Sequence, residues 1–181
     1  VSNGGDPKSI QAGLTDDIPQ IIMPLVDSDA LFKEDEIEMS KDIPYRFGTP
    51  FEVQFNLDNS GLWEEVAEGR IWRFSIKSEN AYSINLLYDR FVLPQGAELF
   101  VYDIEMETVL GAFTHNNNKN HETFSTSPTK GDVAILEYFE PKEAKFQGEI
   151  QINRVVHAYR DIFFNESRGY GDSGSCNNNV N

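Results

Sequence analysis

One cysteine, Cys176, stands in 181 residues, and that scarcity excludes a domain stapled internally by disulfides, because a bridge needs two thiols. Basic side chains are scarce too: 15 Lys and Arg face 30 Asp and Glu, for a formal net charge of −15. That surplus repels phosphate and argues against nucleic acid or an anionic membrane surface as partner. No apolar run approaches the ~20 residues of a membrane-spanning helix, and no basic-then-apolar signal segment opens the sequence at Val1. The expectation is a protein that is either cytosolic or has already lost its signal.

Hydrophobic residues make up 39% of the chain and aromatics 12%, enough to bury a core for one domain. Residues 1–60 read as an irregular N-terminal arm, because Pro19, Pro24, Pro44 and Pro50 interrupt every long periodic segment. The stretch "DSDALFKEDEIEMSKD" predicts at most a short helix, and "EDEIE" within it a solvated acidic turn. Ile21, Ile22, Leu25 and Phe32 are expected to pack the arm on the body.

From Glu65 onward the period is two. "RIWRFSIKS" sets Trp72, Phe74 and Ile76 against Arg73, Ser75 and Lys77, and "AYSINLLYD" sets Tyr82, Ile84, Leu86 and Tyr88 against Ser83 and Asn85. "AELFVYDIE" is apolar on both faces, as a central strand would be. "TVLGAFTH", "DVAILEYFE" and "FQGEIQINRVVHAY" add three more strands, separated by the polar segments "HNNNKNHE" and "SPTKGD". Strands at this spacing, with no amphipathic helix between them, predict an all-β fold: an antiparallel β-sandwich of jelly-roll type over residues 61–164. Residues 165–181, nearly devoid of apolar side chains, are expected to be a flexible C-terminal tail.

That tail holds Gly171-Asp172-Ser173-Gly174, the letters around the nucleophile of trypsin-like proteases. A Ser-His-Asp site also needs a base, an orienting acid and an oxyanion hole. The trypsin pattern has a second glycine where Ser175 stands, and none of His115, His121 and His157 has a protease histidine's small-residue and cysteine context. Ser173 is therefore not expected to be catalytic, and no catalytic residue is assigned. His115, His121 and Glu122 share a loop but lack a third ligand at a set spacing, so no metal is assigned to them. Asp103, Glu105 and Glu107 alternate in "YDIEMET" and would share one face of a hairpin end. Calcium could use them, although charges that guard a sheet edge explain them as well. Exposed aromatics on such a sandwich could stack on sugars, yet Trp72 reads as core.

"GDSGSCNNNVN" resembles the segment at which the mature enzyme begins in secreted bacterial lysyl-endopeptidase-like, trypsin-fold serine proteases. "GRIWRFSIKSENAYSINLLYDRFVLPQGAELFVYD", "VLGAFTHNNNKNHETFSTSPTKGD" and "INRVVHAYRDIF" resemble, in the same order, the β-rich region that precedes the catalytic domain in those precursors. The resemblance implies a non-catalytic pro-domain whose partner is the protease's own catalytic domain, and secretion with loss of a signal peptide before Val1. It implies processing around Arg168, Tyr170 and Gly171, and pairing of Cys176 with a cysteine of the catalytic domain. No cofactor is implied. A secreted carbohydrate-binding or adhesion module is the competing expectation.

Overall fold

Alternation of apolar and polar residues produces strands whose apolar sides face one another across two sheets. The computed structural model describes residues 5–39 and 46–163. In chain order the described elements are α1 (Lys8–Ala12), β1 (Gln20–Ile22), α2 (Ser28–Met39), β2 (Gly48–Asn56), β3 (Leu62–Val66), β4 (Gly69–Lys77) and β5 (Ser83–Val92). They continue with β6 (Glu98–Tyr102), β7 (Val109–Phe113), a 3-10 turn (His115–Asn117), β8 (Phe124–Ser125), β9 (Thr129–Lys130), β10 (Val133–Pro141) and β11 (Glu149–Ala158).

The first sheet runs β1-β4-β10-β6-β7, with β3 also on β4; the second runs β2-β11-β5-β8, with β9 also on β5. Antiparallel pairs nest inside one another: β2 with β11, β4 with β10, β5 with β8, and β6 with β7. Among the described residues only β1 joins parallel, Gln20–Ile22 lying beside Ser75–Lys77. The described residues are thus mostly β, in two sheets with one parallel pair, where a wholly antiparallel arrangement was expected.

One buried cluster fills the space between the sheets. Trp72, Phe74 and Ile76 from β4 and Leu136 and Tyr138 from β10 meet Ile84, Leu86 and Tyr88 from β5 and Ile150, Ile152 and Val155 from β11. Trp72 is fully buried and its indole N–H donates to Ser60 O at 2.5 Å. Gly61 (φ +78°) closes over that ring, and a Cβ there would lie 2.7 Å from Trp72 Nε1. Only a residue without a side chain fits, in a backbone region that favours glycine.

Three expectations are corrected. Residues 48–56, assigned to the arm, form β2, because Phe51, Val53 and Phe55 alternate inward onto the core. Pro50 misled the reading; a strand that pairs on one side only, as β2 does with β11, tolerates a residue with no N–H. The helix α2 is 12 residues long; Asp27 caps it by accepting from Ala30 N at 3.0 Å. Ile21 packs against the core, whereas Ile22 and Leu25 are 68% and 76% exposed, since β1 is an edge strand and the chain leaves the sheet after it. The tail, residues 165–181, lies outside the described residues.

Replacing Trp72 by Ala should destabilise the domain by about 3–5 kcal/mol, the usual loss for a large buried aromatic. A thermal melt checks this; an unchanged midpoint would mean that the indole packs against nothing.

Candidate functional site

β11 is the last of the described strands, held between β2 and β5, and the residues after it lead toward the tail. Their anchorage is the candidate site. Tyr159, fully buried, donates its hydroxyl to Asp35 Oδ2 at 2.7 Å, and Arg160 Nη2 donates to the same oxygen at 2.7 Å. Arg46 Nε donates to Asp35 Oδ1 at 2.8 Å. Phe32, one turn before Asp35 on α2, meets the Tyr159 ring edge-on at 5.5 Å, and the Arg160 guanidinium lies over Phe32 at 4.7 Å. One carboxylate therefore joins α2, the start of the β2 segment and the end of β11. The Arg160 hydrogen bond, opposed by burial and aided by Tyr159 and Arg46, holds the Asp35 carboxyl down to about 2. A depressed carboxyl stabilises the fold above its ordinary 3.8 and loses that contribution as pH falls toward the lowered value.

Close by, Ser78 Oγ and His157 Nδ1 are hydrogen-bonded at 2.8 Å. A serine beside a histidine is half of a nucleophilic site, but both residues are sealed inside the sandwich, at 0% and 1% exposure. His157 Nε2 meets no partner among the described residues, so the ring has neither an orienting acid nor an opening toward substrate. Burial pushes the imidazole below its ordinary value.

The remaining candidates disperse. His121 Nδ1 accepts from Thr123 N at 3.3 Å, Glu122 pairs with Arg90, and His115 begins the 3-10 turn. The strand β6 ends at Tyr102, so Asp103 to Thr108 form a turn and the expected alternation on one face fails. Asp103 folds inward and accepts from Glu107 N at 3.1 Å and Thr108 N at 2.5 Å, while Glu105 and Glu107 face solvent. No group of three or more His, Cys, Asp or Glu among the described residues could hold a metal ion. Ser173, Arg168, Tyr170, Gly171 and Cys176 lie outside the described residues.

Sequence reasoning missed Asp35, placed within a solvated acidic turn, and Glu137, fully buried in β10. Glu137 accepts from Ser9 N at 2.9 Å, Ser9 Oγ at 2.5 Å and Tyr102 Oη at 3.3 Å, so it caps α1 and ties the arm to the outer face of the first sheet. A charge in the middle of the apolar run "AILEYF" was the available signal. No helix among the described residues is long and apolar enough to cross a membrane.

Asp35→Ala should free both ends that the carboxylate joins; limited trypsin digestion should then cut after Arg46 and Arg160 faster than in the wild type, with the sandwich core intact. His157 gives a pH signature. The unfolded imidazole takes a proton near its ordinary 6.5 while the buried one resists, so stability should fall as pH drops below that value. Chemical denaturation at pH 7.5 and 5.5 should show a larger loss for the wild type than for His157→Gln. The chain matches no known protein-family model.

Proposed function

We propose that this chain is the N-terminal pro-region of a secreted, lysyl-endopeptidase-like serine protease: a non-catalytic β-sandwich that assists folding of the protease domain, keeps it latent, or both. The phrases that carry the resemblance cover β4, β5, β6, β7, β8, β9 and most of β11. The fold is of jelly-roll type in this reading, a ribbon of eight strands rolled up so that the outermost pair is β2 with β11 and the innermost β6 with β7.

The observation that carries the reading is that the sandwich is closed by β11 and anchored by Tyr159 and Arg160, upstream of Asn165. Every described strand lies before the stretch "NESRGYGDSG". A cut after that anchor removes none of the described strands from either sheet, so in this reading the pro-domain can leave intact or remain docked. A pro-domain acts by binding native protease surface, which lowers the free energy of the folded enzyme or of its folding transition state. Cys176, in this reading, pairs with the catalytic domain, and the serine of the GDSG letters is part of a junction.

Maturation is expected between Asn165 and Ser173, at Arg168 or at the Tyr170-Gly171 bond. N-terminal sequencing of the secreted mature enzyme checks it; a start upstream of Asn165, with the sandwich retained, would make the domain a permanent accessory instead of a removable pro-region. The isolated chain should not turn over lysyl or arginyl peptide reporters. Activity above background that Ser173→Ala abolishes would overturn the reading.

A further inference from the structure

The outer face of the first sheet is not bare. The arm crosses it, and between arm and sheet lies a cavity of about 620 Å³. Ile10, Leu14 and Ile18 reach it from the arm, Ile104 and Met106 from the turn after β6, and Ile135 from β10. Ile10 and Ile104 are 56% and 61% exposed, so an apolar rim leads into an apolar interior. Polar groups come from both sides: Arg73, Ser75 and Tyr102 from β4 and β6, and Ser9, Asp16 and Gln20 from the arm. A cavity of this size, with apolar walls and polar groups that converge on it, has the usual form of a small-molecule site.

Arg73 sets the chemistry. It is 2% exposed, and Nε and Nη2 both donate to a single oxygen, Glu64 Oε2, at 3.0 and 2.5 Å. Arg73 also lines the cavity, and a guanidinium has only donors to offer, so a ligand group placed against it must bring an oxygen acceptor. That acceptor should be uncharged. Glu64 already neutralises Arg73, Glu137 is its direct cross-strand neighbour, and Asp16 stands among the lining residues, so the local balance is negative and disfavours an anion. A cationic ammonium head has donors only and cannot accept from Arg73.

We propose that this cavity binds a neutral amphiphile, an acyl chain ending in an amide or ester carbonyl, with the chain under the arm and the carbonyl oxygen accepting from the Arg73 guanidinium. The site is independent of the pro-region reading and requires no protease. Isothermal titration of the whole chain with octanamide, octanoate and octylamine tests it. Octanamide should bind with a dissociation constant on the order of 100 μM, and the two charged heads at least roughly fivefold more weakly. Ile104→Asp, at an exposed rim position that the fold does not need, should weaken octanamide roughly tenfold. Arg73→Met should remove the preference among the three heads; if that variant fails to fold, the head series on the wild type and Ile104→Asp still decide. No heat with octanamide at millimolar concentration, octanoate or octylamine binding as tightly, or an Ile104→Asp affinity equal to the wild type would each overturn the proposal.

Discussion

The hydrogen bonds between Ser9 and Glu137 set the condition for the rest of the structure. β4 and β10 are buried on both faces: Trp72, Phe74, Leu136 and Tyr138 turn toward the core, while Arg73, Ser75 and Glu137 turn outward and are covered as well. A buried carboxylate without hydrogen bonds is strongly unfavourable, so the arm cannot merely lie over this face. It must supply donors at one place, and Ser9 supplies two of them. That requirement fixes α1, and with α1 fixed the following residues arch across the sheet to β1, leaving the cavity beneath them.

A second carboxylate does the equivalent work where β11 ends. Asp35 receives Arg46, Tyr159 and Arg160 and so brings three distant parts of the chain to one point. Glu140 is a third such node, accepting from Arg70, Tyr138 and Gly148 N. The acidic surplus that composition reports as a net charge is therefore partly structural. Several acids are internal anchors, and the remainder give the surface its sign.

What could be read from the letters was whatever depended on period. The alternation in "RIWRFSIK" placed Trp72, Phe74 and Ile76 in the core correctly, since an inward-facing strand side admits little else. β2 escaped because Pro50 breaks a strand only where its N–H would be needed. The full length of α2, expected to be short at most, escaped because it docks through Phe32 and Asp35, one apolar ring and one charge, instead of an apolar stripe. Asp103, Glu105 and Glu107 were misplaced because period two ends where the strand does, and a turn sent the first inward. The anchorage of Tyr159 and Arg160 was invisible for another reason: its carboxylate comes from more than a hundred residues away, and no local pattern encodes that distance.

The nesting of the strands bears on the order in which the molecule can form. β6 and β7 are near neighbours in the chain and can pair early, whereas Gly48 must find Ala158, and closing so long a loop is the slow part of folding a β topology. The outermost pair cannot form until β11 has been synthesised, so a chain emerging from its amino end completes the sandwich only as the segment beyond Phe163 begins to appear. Folding of this unit is thereby timed to finish at the threshold of whatever sequence follows.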